Sequence, residues 1–73
     1  MSALPFVSGR DCAKALSKVG FQLLRQHGSH LILRRSSPFA QLVVPEHKVL
    51  DRGTLRAIIR QADITVEEFL KLL

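Results

Sequence analysis

A histidine between two arginine-edged apolar runs is the residue of this sequence best suited to do chemistry. The stretch RQHGSHLILRR, residues 25–35, places His30 directly after Gly28 and Ser29, which suit a tight turn. A free imidazole titrates near pH ~6.5, so it can accept or release a proton close to neutrality. Two interpretations follow. His30 is either an ordinary solvent-facing histidine at a turn, or a group that moves protons for a phosphate-bearing substrate.

Basic residues dominate the charge of the chain. It contains 11 Lys and Arg against 6 Asp and Glu, which gives a formal net charge of +5 over 73 residues. This excess favours a nucleic acid, another polyanion or an acidic protein as the partner. Close to His30 in sequence, Arg25, Arg34 and Arg35 could supply positive charge to a phosphate beside the imidazole.

Basic side chains also recur every four residues in two places. The two stripes are Arg10, Lys14 and Lys18, and Arg52, Arg56 and Arg60. On a helix each stripe forms one side, and it could contact phosphates without selecting a base sequence. Each could equally be a solvated helix face. Because the chain has four Phe and no Trp or Tyr, we expect base stacking on aromatic side chains to be minor.

No pattern predicts a metal site, a cofactor or a covalent catalyst. The three histidines lack a spacing such as H-x-x-x-H, and the single cysteine, Cys12, can form neither an internal disulfide nor a cysteine zinc site. Ser29 and Thr54 lack a Ser-His-Asp arrangement. The sequence also predicts neither a membrane span nor a signal peptide, so we expect a cytoplasmic protein with no membrane partner.

The chain is long enough for one domain, which we predict over residues 8–73 after an N-terminal extension of residues 1–7. Apolar spacing and capping residues predict the order helix, three strands, helix and short helix. The predicted elements are a helix over 9–19, strands over 21–26, 30–35 and 40–45, a second helix capped by Asp51, and a last helix opened by a Thr65–Glu68 capping box.

Two hairpin turns, the first formed by the three residues 27–29 and the second by residues 36–39, would make the strands antiparallel. They predict an α+β domain, with a three-stranded antiparallel sheet and helices on one face. Alternation along the second strand divides its residues between two faces: His30, Ile32 and Arg34 on one, and Leu31, Leu33 and Arg35 on the other. Because both faces carry apolar residues, the uncovered face either binds a protein partner or is shielded by twist and loops.

Three segments in this order resemble the HicA toxins of bacterial toxin–antitoxin pairs. They are KALSKVGFQLLRQHGSHLILRR, VVPEH and GTLRAIIRQADITVEEFLKLL, and the likeness covers residues 8–73. The resemblance implies a double-stranded-RNA-binding-domain-like fold with the order α-β-β-β-α, in agreement with the elements above. It also implies an mRNA interferase, an endoribonuclease toxin whose active surface is covered by a HicB-type antitoxin. One departure is Arg52, which stands where family members often have a proline.

Carried onto this sequence, the resemblance assigns the family's catalytic histidine, in the G-S-H motif, to His30. His47 matches the histidine of V-P-x-H, and it could support the site together with Gly28 or hold its own loop by hydrogen bonding. The motif does not demand a histidine at His27, which we expect to be an ordinary loop residue. The residues expected to bind RNA are Arg25, Ser29, Arg34, Arg35, Arg52, Arg56 and Arg60.

Cleavage of RNA needs no metal in principle, because the 2′-hydroxyl of RNA is itself the nucleophile. The leading hypothesis is therefore a metal-independent endoribonuclease that acts on mRNA, with His30 transferring a proton. One alternative is a non-catalytic RNA-binding module of the same fold, which would bind RNA and leave it intact. Another is an interaction protein whose basic surface docks an acidic partner and has no RNA role.

Overall fold

Three helices and three strands make up the fold of residues 4–73. The computed structural model describes residues 4–73, so the first three residues of the expected extension lie outside the described part. The elements are α1 (Gly9–Ser17), β1 (Gln22–His27), β2 (His30–Ser36), β3 (Phe39–Pro45), α2 (Arg52–Gln61) and α3 (Val66–Leu72). The strands form one antiparallel sheet in the order β1-β2-β3. This confirms the α+β fold with the order α-β-β-β-α.

Side-chain caps begin the helices at the residues that the sequence predicts. The Ser8 hydroxyl accepts from the N–H of Asp11 at 3.0 Å, and the Asp51 carboxylate accepts from the N–H of Thr54 at 3.2 Å. Thr65 and Glu68 form the reciprocal bonds of a capping box, at 2.8 and 3.0 Å. Each bond satisfies an N–H that has no partner inside its helix, which fixes where the helix starts.

The core lies between the helices and one face of the sheet. Leu31 and Leu33 of β2 and Leu42 and Val44 of β3 are buried there. Helix α1 packs on both strands, α2 packs on β3, and α3 lies against both helices. The helices contribute Cys12, Ala15, Leu16, Leu55, Ile58, Ile59 and Phe69. The segment before α1, which the sequence presents as an extension, also enters the core through Leu4 and Val7.

The opposite side of the sheet, here called the open face, is not covered by any helix of the described residues. Its side chains alternate with the core residues and are mostly exposed. The cross-strand pairing assigns to it Gln22, Arg25 and His27 of β1, His30, Ile32 and Arg34 of β2, and Phe39, Gln41, Val43 and Pro45 of β3. No helix formed by residues 4–73 is long and apolar enough to cross a membrane.

Two details of β1 decide what lies on the open face. The turn to β2 contains two residues, Gly28 and Ser29, because His27 pairs directly with His30, so the predicted three-residue turn is wrong. Gly28 has a φ of 60°, a conformation that glycine adopts without strain and that tight hairpin turns require. Arg25, two residues before His27, lies opposite Ile32 on the open face, and a bulge between Leu23 and Arg25 inserts one extra residue, so that Gln22 lies opposite Arg34 on the same face.

Candidate active site

His30 begins β2 on the open face and is exposed to solvent. It pairs with His27 on one side and with Pro45 on the other, while the next residue, Leu31, is buried in the core. Strand alternation therefore points the imidazole of His30 away from the core. Strand pairing fixes the backbone of His30, and the exposure of its side chain lets the imidazole meet an extended substrate.

A second imidazole lies beside it. His27 is the direct cross-strand partner of His30, and direct partners face the same side with Cβ atoms ~4.5–5.5 Å apart. The family motif does not demand a histidine at this position, and the predicted three-residue turn places His27 in the loop. The structure instead makes His27 the last residue of β1 and exposes it on the open face.

Arg25 and Arg34 share the open face with His30. Arg25 pairs with Ile32, which makes it a diagonal neighbour of His30 at a Cβ separation of ~7–8 Å, within reach of a long side chain. Arg34 donates through Nε and Nη2 to the Oε1 of Gln41, at 3.0 and 2.8 Å, and its guanidinium lies 5.9 Å from the ring centre of Phe39. Both arginines are exposed and could contact phosphates.

Arg35 lies on the other side of the sheet and is only 9% exposed. Its guanidinium donates to the carbonyl oxygens of Pro38 at 3.0 Å and Ala62 at 3.2 Å, and it lies 4.6 Å from the ring centre of Phe21. These contacts tie β2 to the turn before β3 and to the C-terminal end of α2. Arg35, which the sequence analysis expects to bind RNA, is therefore engaged within the fold and does not share the open face with His30.

Glu46 connects the loop after β3 to the turn before His30. Its N–H donates to the carbonyl oxygen of Ser29 at 2.6 Å, and its carboxylate accepts from the amide nitrogen of Gln26 at 2.7 Å. The same carboxylate pairs with Arg10 of α1. The amide of Gln26 also donates to the carbonyl of Gly28 at 3.0 Å. These bonds hold the hairpin turn against β3 and α1, and sequence reasoning did not find Glu46 or Gln26.

Ser29 and His47, two further candidate residues, lie at the same end of the sheet as His30. Ser29 is exposed in the turn, where its carbonyl accepts from Glu46. His47 is exposed in the loop two residues after Pro45, and its carbonyl accepts from the N–H of Gly9 at 2.9 Å. A Cβ on Gly9 would lie 2.0 Å from the carbonyl oxygen of Pro45, so glycine is required where α1 meets this loop.

The stripe of Arg52, Arg56 and Arg60 is exposed on α2, in the helical layer and away from the open face. Arg52 is the first residue of α2, a position that also suits a proline, and its guanidinium lies 4.7 Å from the ring centre of Phe6. In the other stripe, Arg10 pairs with Glu46, and the Nζ of Lys18 donates to the carbonyl of Leu72 at 2.7 Å. The structure therefore does not gather the predicted RNA-binding residues on one face.

His30 and its neighbours on the open face lie on the surface of the described chain and not in a groove. A groove between the segment before α1, α1 and the end of α3 is lined by Phe6, Lys14, Lys18 and Leu72 among others, and by none of the candidate site residues. Among residues 4–73, no three His, Cys, Asp or Glu side chains are placed to hold a metal ion. Burial raises the pKa of the Cys12 thiol to about 12, so it stays protonated near neutrality.

Comparison with known protein families identifies the class of the chain. A family model described as "HicA toxin of bacterial toxin-antitoxin" matches residues 9–64. The chain belongs to the HicA toxin family. The match runs from the start of α1 to just beyond α2, so it includes the turn with His30 and the loop with His47, while α3 lies outside it.

Membership in the HicA family makes the chain a toxin of the toxin–antitoxin class, for which an antitoxin is the implied partner. A search of curated proteins gave no match.

Proposed function

We propose that this HicA-family chain is an endoribonuclease that cleaves mRNA, with His30 transferring a proton at the scissile phosphate. The observation that carries the proposal is the position of His30, exposed on a paired strand beside Arg25 in a chain that belongs to a toxin family. Because mRNA is its substrate, the chain would act in the cytoplasm.

The chemistry uses only groups that the RNA and the chain supply. The 2′-oxygen loses its proton and bonds to phosphorus, the bond from phosphorus to the 5′-oxygen breaks, and that oxygen gains a proton. The products are a 2′,3′-cyclic phosphate and a 5′-hydroxyl. A positioned imidazole suits either proton transfer and typically contributes ~10²–10⁴ in rate. Arg25 and Arg34 would stabilise the negative charge that develops on the phosphate oxygens.

The open face suits an extended strand of RNA. It is a surface and not an enclosed pocket, it carries Arg25 and Arg34, and the chain has a net charge of +5. Electrostatic contact with phosphates gives affinity that falls steeply with salt. Arg52, Arg56 and Arg60 would extend the contact to the helical layer.

A HicB-type antitoxin would neutralise the toxin by covering the open face. Phe39 is 69% exposed there and Val43 is 46% exposed, beside the two arginines. Apolar side chains of this size on a small basic domain favour a protein partner over bare solvent. An acidic partner seated on this face would keep RNA from His30.

A non-catalytic RNA-binding module is the second candidate, because the exposed basic stripe on α2 would bind phosphates whether or not His30 is catalytic. Incubation of the purified chain with a defined RNA, followed by analysis of the fragment ends, separates the two. We expect 2′,3′-cyclic phosphate and 5′-hydroxyl ends, with activity that persists in EDTA. Intact RNA that stays bound would favour the module, and activity lost in EDTA and restored by a metal ion would reject the metal-independent mechanism.

A further inference from the structure

We propose that His27 is a second catalytic residue, which forms an acid–base pair with His30 for cleavage of the RNA backbone. This inference rests on the proposed function. Its basis is the cross-strand pairing of His27 with His30 and the exposure of both side chains on the open face.

The reaction calls for two proton transfers at two different atoms. A base must remove the proton of the 2′-hydroxyl, and an acid must deliver a proton to the departing 5′-oxygen. In an in-line displacement these oxygens lie on opposite sides of phosphorus, so one imidazole cannot serve both in the same transition state. A second titratable group beside the first lets one histidine begin as a base and the other as an acid. After cleavage the two have exchanged protonation states, and no redox partner or further reactant is involved.

The local structure places the two imidazoles for this task. Direct cross-strand partners have Cβ atoms ~4.5–5.5 Å apart and face the same side, so a phosphate seated above the pair could contact both rings. The two-residue turn is what produces the pairing, since a third residue would take His27 out of register. Gly28, at a φ of 60°, makes this short turn possible.

The surroundings hold the pair and supply charge. Arg25 lies diagonally opposite His30 on the same face, where it can neutralise the phosphate that the pair handles. The turn between the two histidines is fixed by Glu46, through Ser29 and Gln26. The charged and titratable groups at this end of the sheet are Arg10, Arg25, Glu46, His47 and Lys48, and Glu46 is already paired with Arg10.

The first test compares cleavage of one defined RNA by the parent, His27→Ala, His30→Ala, His47→Ala and Lys48→Ala. We expect the first two substitutions each to lower the rate by ~10²–10⁴, with melting temperature and RNA affinity close to those of the parent. Lys48→Ala, which removes an exposed basic side chain at the same end of the sheet, should cleave at the parental rate. The parent should show a bell-shaped pH–rate profile, and each of His27→Ala and His30→Ala should lose one limb of it.

The second test identifies the acid. In a substrate whose scissile 5′-oxygen is replaced by sulfur, the leaving thiolate departs without a proton. The variant that lacks the acid should regain most of its rate on this substrate, while the variant that lacks the base should remain slow. If the cleavage rate of only one of the two variants, His27→Ala or His30→Ala, is restored on this substrate, the result supports the acid–base pair.

Two results would overturn the proposal for His27 while leaving the proposed function intact. One is parental cleavage by folded His27→Ala when His30→Ala is inactive, which would mean that one histidine suffices. The other is loss of a limb of the pH profile in His47→Ala and not in His27→Ala, which would make His47 the second group. A parent chain that cuts no RNA would remove the proposed function, and the inference would fall with it.

Discussion

The N–H of Glu46 donates a hydrogen bond of 2.6 Å to the carbonyl oxygen of Ser29, the residue that precedes His30. This bond joins the loop of the V-P-x-H motif to the turn of the G-S-H motif. Two motifs that lie far apart in sequence are therefore parts of one local structure. The Glu46 carboxylate extends the connection to Gln26 of β1 and Arg10 of α1.

Substitution of Glu46 should impair cleavage more than stability. Glu46→Ala removes the acceptor for Gln26 and the partner of Arg10, while the backbone bond to Ser29 can persist. Such a pair contributes ~0–1 kcal/mol, and each kcal/mol lost lowers the melting temperature of a domain of this size by ~4–8 °C, so the fold should remain intact at the assay temperature. We expect kcat to fall more than KM rises, because the turn that positions His30 loosens. Glu46→Gln, which keeps an acceptor for Gln26, should recover most of kcat; failure to do so would mean that the charge of Glu46 matters and not its hydrogen bond.

Loss of the His30 imidazole should abolish most activity without unfolding the chain. His30→Ala should reduce RNA cleavage by ~10²–10⁴ and relieve growth inhibition in cells, because it removes a proton-transfer group. The side chain is exposed, so the melting temperature should change little. RNA affinity should persist because the arginines remain. Cleavage at the parental rate by folded His30→Ala would reject the catalytic assignment and favour the RNA-binding module.

Adjacent arginines on opposite faces of β2 should respond differently to substitution. Arg35→Met removes donors from two carbonyl oxygens, one of them in the buried contact with Ala62, and should cost about 1–3 kcal/mol of unfolding free energy. The melting temperature should fall by at least ~4 °C. Arg34→Met, on the open face, should change stability by less than ~0.5 kcal/mol but weaken RNA binding. Thermal unfolding and RNA titration of both variants check this contrast. A larger loss of stability in Arg34→Met than in Arg35→Met would contradict it.

The basic stripe on α2 should contribute to RNA affinity through phosphates. Replacing Arg52, Arg56 and Arg60 together by glutamine should weaken binding to all RNA sequences alike. For single-stranded RNA, every arginine–phosphate pair that the substitutions remove should reduce the slope of log affinity against log salt by ~0.7. Titrations at several salt concentrations measure the slope. An unchanged slope would show that the stripe faces only solvent and that the open face binds the RNA by itself.

Protonation of two carboxylates at helix starts, Asp51 and Glu68, should make the fold less stable in acid. The hydroxyl and the N–H of Thr54 lower the pKa of the Asp51 carboxyl below its ordinary value, and the N–H and hydroxyl of Thr65 lower the pKa of the Glu68 carboxyl in the same way. The folded chain thus binds these protons less tightly than the unfolded chain. The stabilisation is complete above the unfolded pKa values and is lost as pH falls through the lowered folded values.

Thermal unfolding from pH 7 down to pH ~3 measures this loss, because unfolded carboxyls titrate near ~4. Asp51→Asn should lose less stability than the parent over this range, since asparagine caps a helix without titrating. If the Asp51→Asn, Glu68→Gln double variant loses as much stability as the parent over this pH range, the acid sensitivity belongs to other carboxylates.

Local sequence signals determined most of the architecture. Caps at Ser8, Asp51 and Thr65 act within three residues, and they begin the helices at the predicted places. The first helix ends at Ser17, two residues before the predicted bound, and Gly20, with a φ of 99°, lies in the turn that follows it, where the N–H of Phe21 donates to the carbonyl oxygen of Leu16 at 3.2 Å. Three segments in order, one of them the motif with His30, together suggested the family that the comparison then confirmed. These features depend on residues close together in the chain, so they can be predicted without the fold.

Only the tertiary structure decided which groups meet. Strand alternation separated Arg34 from Arg35, but both faces carry apolar residues, and the packing of α1 and α2 determined which arginine would be buried. The length of the turn aligned His27 with His30 and thereby set Arg25 on the same face, and the bulge in β1 brought Gln22 opposite Arg34. Register, bulges and the Glu46 contacts arise from pairing between distant segments. Their free energy depends on the whole packed sheet, which no short stretch of sequence encodes.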